Sequence, residues 1–165
     1  MSILILVEGP SDKGVIQKIT EKLNVKAKIL LMRGNRPNKA IRLIKAALTR
    51  KPYSKIIILK DLHKHPEKTI KKNLSKVIKN INHTNIHTII IKRSIESWIL
   101  AGMGIPNPEN LENPESYLNN ILRRKGKQYV KSLKTAKTLT NNINLKTAQQ
   151  QSQTLNQFIK IIKDP

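Results

Sequence analysis

Residues 2–16 read SILILVEGPSDKGVI, and the class of the whole chain turns on them. From Ser2 to Val7 runs an unbroken apolar stretch, ILILV, too short for a helix and rich in β-branched side chains, the pattern of a strand buried on both faces. Glu8-Gly9-Pro10 ends it. Ser11 is placed to cap the helix that follows and Asp12 to sit in its first turn against the positive end of the helix dipole. Val15, Ile16, Ile19 and Leu23 then recur at helical spacing.

The same unit repeats outward from there. Ala27 to Met32 reads as a second strand, Gly34 to Pro37 as a turn, and Ala40, Ile41, Ile44, Ala47 and Leu48 as one face of a second helix. Lys55 to Lys60 (KIIILK) is a third strand closed by Asp61; Pro66 and Glu67 open a helix carrying Ile70, Leu74, Val77, Ile78 and Ile81; Ile86 to Ile91 is a fourth strand. Strands that alternate with helices pair in parallel through right-handed crossovers. The expected class is therefore α/β, a three-layer sandwich around a four-stranded, mainly parallel sheet.

Beyond Ser94, a short helix with Ile95, Trp98, Ile99 and Leu100 leads into a Gly- and Pro-rich connection, Gly102 to Pro114. Trp98, at helical spacing from Ile95, reads as a core anchor rather than a base-stacking platform. The rest looks helical: Tyr117, Leu118, Ile121 and Leu122 suit one helix and Leu155, Phe158, Ile159 and Ile162 another, while Lys131 to Gln151 is polar and weakly patterned. The organisation is an α/β core over residues 1–102 and a basic helical extension over 103–165 packed on the same domain.

Composition narrows the chemistry. The 165 residues contain no cysteine, which excludes a disulfide framework, a thiolate zinc site and a cysteine nucleophile, so a metal must be held through oxygen or imidazole. No run of 18 or more apolar residues occurs, and the expectation is a soluble, cytoplasmic protein with no membrane partner. Against 10 Asp and Glu stand 32 Lys and Arg, a formal charge of +22 that makes nucleic acid, DNA or RNA, the expected partner.

On so basic a chain the position of each acid is informative. Ligands of open parallel sheets bind beyond the carboxyl ends of the strands. Glu8 follows the first strand, Asp61 the third, and Glu96 lies just past the fourth. Adjacent strands lie about 4.8 Å apart, so neighbouring terminal carboxylates can share one divalent ion; equally, each can pair with one of the many lysines. Arg33 and Arg36 follow the second strand, where either is able to hold a phosphate bidentately. Lys60, Lys64, Lys92 and Arg93 bracket the acids, as a site facing a polyanion requires and as chance on this composition also provides.

VEGPSDKGVI at Val7 to Ile16 and LKDLHK at Leu59 to Lys64 resemble the two signature motifs of the TOPRIM domain, which occurs in topoisomerases, primases and OLD-family and related nucleases. Glu8-Gly9 matches the family's strand-end Glu followed by Gly. Asp61 matches the first acid of its later Asp-x-Asp, with His63 standing at the second. Arg93-Ser94-Ile95-Glu96-Ser97-Trp98 resembles a segment of small single-domain members, as does Tyr129-Val130-Lys131. The resemblance implies a TOPRIM or Rossmann-like core in which Glu8 is a metal ligand or general acid/base, Asp61 is the main metal ligand, and Asp12 and Glu96 are supporting or second-metal ligands. His63 departs from the pattern, because imidazole is a poor ligand for Mg²⁺ but an acceptable one for Mn²⁺. The implied activity is metal-dependent hydrolysis of nucleic-acid phosphodiesters with Mg²⁺ (or Mn²⁺). The alternative is a non-catalytic nucleic-acid-binding module or accessory subunit.

Overall fold

The computed structural model describes residues 2–34, 36–63 and 65–165. Its first half alternates strictly: β1 (Ile3–Val7), α1 (Pro10–Lys22), β2 (Ala27–Leu31), α2 (Pro37–Arg50), β3 (Lys55–Asp61), α3 (Glu67–Lys79) and β4 (Ile86–Ile91). The four strands form one sheet in the order β2-β1-β3-β4, and every neighbouring pair is parallel. The α/β class is thus realised with a fully parallel sheet.

Alternation along the strands divides the apolar side chains between two cores. Ile3, Ile5 and Val7 of β1 with Ile57 and Leu59 of β3 pack against Val15, Ile16 and Ile19 of α1. Leu4 and Leu6 with Ile56 and Ile58 face the other way, against Ala40 and Ile44 of α2 and Ile70, Leu74 and Val77 of α3. Most of these side chains are fully buried, and each contributes roughly 1.5–3 kcal/mol by leaving water.

From β1 the chain crosses to β2 with α1 on one face. It then reverses direction across the sheet to β3 and β4 with α2 and α3 on the other face, as crossovers of one hand require. The reversal falls between β1 and β3, so the topological switch point, where ligands of such sheets bind, lies at the ends of those two strands.

The helices α4 (Glu96–Gly102), α5 (Pro114–Arg124), α6 (Leu133–Asn141), α7 (Leu145–Gln151) and α8 (Gln153–Lys163) all join the α1 side. Trp98 is fully buried there, its ring centroid 5.4 Å from that of Phe158 and its indole N–H donating to Thr154 at 2.8 Å. Helix α1 meets α6 so closely that a Cβ at Gly14 would lie 2.4 Å from the Leu133 carbonyl oxygen. Lys55, buried at the start of β3, donates from Nζ to the carbonyls of Ile161 and Asp164 and closes the carboxyl end of α8.

Two local expectations change. Ser11 does not cap α1: Pro10 takes the first helical position, for which its fixed φ and missing N–H suit it, and Gly9 becomes the N-cap residue. The weakly patterned stretch is two helices, α6 and α7, whose buried positions are the small residues Ala136, Thr140 and Ala148, giving little apolar signal. Among the described residues no helix is long and apolar enough to cross a membrane.

Candidate metal centre

Four loops leave the carboxyl edge of the sheet, and backbone hydrogen bonds join them in two pairs. The amide of Arg33, just past β2, donates to the Glu8 carbonyl at 3.0 Å, and that of His63, just past β3, to the Arg93 carbonyl at 2.8 Å. Arg33, His63 and Arg93 each follow a strand directly and each is left-handed, with φ of 50°, 48° and 66°. A non-glycine residue in this region carries a cost of order 1 kcal/mol, and such positions concentrate at functional sites.

Lys60 and Asp61 are consecutive in β3 and point to opposite faces. Lys60, with Ile56 and Ile58, faces the α2–α3 side, where its ammonium lies 2.5 Å from Glu8 Oε1 and donates to the Gly34 carbonyl at 3.2 Å. Asp61, 5% exposed, faces α1 and α4. His63 reaches both acids, with Nε2 3.3 Å from Glu8 Oε2 and 3.7 Å from Asp61 Oδ2. Glu8, Asp61 and His63 each offer a ligand atom within 4.8 Å of the other two, and the three can hold a metal ion.

Asp12 and Glu96 close the cluster from the α1–α4 side. Asp12 Oδ2 accepts the Gly9 amide at 2.9 Å, which satisfies the start of α1, while Oδ1 is buried with no hydrogen-bond partner. Glu96, fully buried in the first turn of α4, accepts from the Tyr129 hydroxyl at 3.1 Å and lies 3.7 Å from the Lys131 ammonium, both through Oε1. Its Oε2 has no partner. Buried carboxylate oxygens without a donor are costly, by roughly 1–3 kcal/mol and more when charged. Here two of them adjoin a ready set of oxygen and imidazole ligands, so the residues present fit a divalent cation.

Protonation follows the same geometry. Burial, then the charges of Asp12, Glu8 and Glu96, push the Asp61 carboxyl well above the usual carboxylate range against the opposing Ile95 amide. Burial and the charge of Glu96 raise Asp12 to about 6, although the Gly9 amide works the other way. Glu8 is the exception: burial alone would raise it, but hydrogen bonds from His63 and Lys60, together with their charges, hold it below its ordinary value. The hydrogen bond to Glu8 outweighs burial at His63, whose pKa is raised. Burial next to Glu96 raises that of Tyr129. Lys131, which burial would lower, is raised by Glu96 and Glu115.

Of the five sequence-proposed ligands, Glu8, Asp61 and His63 lie within ligand reach of one another, and Asp12 and Glu96 stand near enough for their charges to act on Asp61. The basic residues divide. Arg33, Arg36 and Lys92 are exposed on the edge, and Arg93 is half-buried beside a cleft of about 370 Å³ also lined by His63, His65 and Ser94. Lys60 is not a surface contact: it is 5% exposed and its charge is committed inside the protein to Glu8. Lys64 lies outside the described residues. Tyr129 and Lys131 were legible only as a resemblance, and it is the fold that carries them to Glu96 across more than thirty positions. Ser94, buried with an unpartnered hydroxyl at the cleft, was likewise legible only as part of a resembling segment and was given no role there. Comparison with models of protein families, with curated proteins and with solved structures found no match to this chain.

Proposed function

We propose that this chain is a metal-dependent hydrolase of nucleic-acid phosphodiesters, of TOPRIM type, using Mg²⁺ or Mn²⁺ at Glu8, Asp61 and His63. One observation carries the reading. Asp61 is a buried carboxylate at the topological switch point, yet among the described residues no lysine or arginine stands within ion-pair distance of it, on a chain with 32 of them. An acid kept from so abundant a counter-charge is one reserved for another cation.

Bound there, a divalent ion supplies Lewis-acid polarisation of a phosphoryl oxygen and a water of lowered pKa. The remaining work falls to the side chains. Glu8, held ionised by Lys60 and His63 in the metal-free protein, would accept a proton at Oε2, while His63 would give the ion an unprotonated imidazole nitrogen and so carries no proton for a departing oxygen. Asp12 Oδ1 and Glu96 Oε2 provide supporting ligands, with Tyr129 and Lys131 fixing the orientation of Glu96. Arg93, Lys92, Arg33 and Arg36 line the same edge and hold flanking phosphates. Imidazole in the ligand set favours Mn²⁺ over Mg²⁺.

A second reading, a binding module without catalysis, is favoured by the ion pair through which Lys60 already neutralises Glu8. The two separate on incubating the purified protein with labelled single- and double-stranded DNA and RNA in Mg²⁺, Mn²⁺ or EDTA, beside Glu8→Gln and Asp61→Asn. Hydrolysis requires metal and both acids. Equal binding by all three proteins with no cutting under any metal leaves the binding module standing.

A further inference from the structure

The α2–α3 layer carries a different signal from the acid cluster. Helix α2 contains no acid, and its Arg42, Lys45 and Arg50 are exposed. On α3, Lys68, Lys72, Lys76 and Lys79 are exposed at intervals of four, four and three residues, which places them on one ridge. At the rise of an α-helix the ridge presents a cation every ~6 Å over ~16 Å. The single acid of the two helices, Glu67, lies in the first turn of α3 and pairs with Lys71 at 3.3 Å. On the opposite layer the exposed cations, Lys134, Lys146 and Lys160 among them, are spread over several helices, and others are drawn into contacts: Lys131 to Glu115, Lys137 and Lys18 to Glu21, and Lys22 to the carbonyls that end α6.

The ridge adjoins the site. A groove of about 530 Å³ lined by Pro37, Lys72, Lys76 and Lys79 shares Pro37 and Asn73 with a crevice of about 20 Å³, wide enough for a water only, whose lining includes Arg36, Gly34 and Lys60, the partner of Glu8. No aromatic side chain accompanies the lysines. Of the five aromatic residues, Trp98, Phe158, Tyr53 and Tyr129 are buried, and Tyr117, 40% exposed, belongs to α5 in the other layer. Surfaces that hold single strands combine charge with stacking platforms. This one has charge alone, which suits a duplex whose bases are already stacked. Lysine ammonium groups read phosphate as point charges, so this surface asks of its ligand a continuous phosphate backbone rather than a particular base or sugar.

We propose that the α2–α3 layer docks a nucleic-acid duplex, with the α3 lysine ridge following one phosphate backbone on the face of the sheet from which Lys60 meets Glu8. The proposal rests on the hydrolase reading for its purpose, and its test is independent of cleavage. Binding of a labelled DNA duplex about two helical turns long is followed by anisotropy in EDTA as salt is varied. The exposed triple K72Q/K76Q/K79Q lowers the slope of log affinity against log salt by about 2 to 3 and weakens binding roughly tenfold or more near 0.15 M salt. The matched triple K134Q/K146Q/K160Q, exposed on α6, α7 and α8, changes the slope by less than about 1. Equal effects from the two triples would mean diffuse attraction by net charge and overturn the assignment. So would tighter binding of a single strand of the same length. If the duplex binds in this way and no metal supports cutting, the docking surface stands and the hydrolase reading falls.

Discussion

Two halves of one acid cluster solve the burial of charge in opposite ways. Glu8 has its own lysine at 2.5 Å and a histidine at 3.3 Å, and its carboxyl is held below the ordinary range. Asp61, at the end of the adjacent strand, has that histidine at 3.7 Å and the Ile95 amide, with no lysine or arginine in ion-pair distance among the described residues, and is pushed upward by Asp12, Glu8 and Glu96 after burial has already raised it. One half is neutralised by the chain itself, whereas the other is left to burial and to its acidic neighbours. The difference comes from strand parity, because Lys60 can reach Glu8 only from the face that Asp61 does not share.

Substitution tests that contrast most directly. Both Asp61→Asn and Glu8→Gln are expected to abolish metal-dependent hydrolysis, by roughly 10³-fold or more in single-turnover rates, since each removes an anionic ligand or proton acceptor. Their effects on the metal-free fold should have opposite signs. Asp61→Asn removes a repelled carboxylate and raises the denaturation midpoint in EDTA. Glu8→Gln strips the buried Lys60 of its counter-charge and lowers the midpoint, with a loss of stability of about 3–5 kcal/mol. A fall of equal size in both would show that Asp61 has a structural partner like that of Glu8.

The halves also respond oppositely to pH. Asp12 belongs with Asp61: its carboxyl is raised to about 6 on folding, so its contribution is fully present below the unfolded value and is lost as pH climbs through 6. That loss amounts to about 3 kcal/mol by pH 7 in EDTA, because two pKa units are worth roughly that much. Glu8, lowered on folding, contributes stability that is present above its unfolded value and lost as pH falls through the folded one. Denaturant titrations across this range should therefore show Asp12→Asn flattening the neutral limb and Glu8→Gln flattening the acid limb. Saturating Mn²⁺ should flatten the neutral limb of the wild type, because it stabilises the ionised form.

A smaller effect is expected where the extension touches the cluster. Tyr129→Phe removes the one hydroxyl that satisfies Glu96 Oε1 at 3.1 Å, leaving a fully buried carboxylate with Lys131 alone at 3.7 Å. The cost in stability is about 1.5–2 kcal/mol. Mn²⁺ affinity measured by calorimetry should weaken along with it, because the metal's supporting ligand loses its orientation.

The contrast between these contacts marks what can be read from residues alone. The buried strands announce themselves as short apolar runs, so the positions that close them, Glu8 and Asp61, are assignable from the pattern of side chains. The partner of each is not. Whether Lys60 serves the substrate or Glu8 depends on how the chain bends after Val7, and no spacing rule encodes that bend. Tyr129 meets Glu96 only because α5 to α8 fold back over α1, through contacts among small side chains such as Gly14 and Ala136 that carry no periodic signal. The Ser11 cap fails for a similar reason, as a proline one residue earlier had already set where the helix begins.

The smallest predicted effect concerns the backbone that the two halves share. Arg93 lies in the left-handed region at φ 66° and its carbonyl receives the His63 amide at 2.8 Å, so its conformation helps aim the histidine that bridges Glu8 and Asp61. In an ordinary loop, alanine is the more stabilising choice, because glycine adds freedom to the unfolded chain. Here the order should reverse, with Arg93→Gly more stable than Arg93→Ala by about 0.5–1 kcal/mol in denaturant unfolding, since only glycine occupies this region without a Cβ clash. Both substitutions remove the same guanidinium, so both should weaken substrate binding alike. A lower stability for the glycine variant would place Arg93 in an unstrained loop. The strain at the β4 exit would then have no part in holding His63 between the two acids.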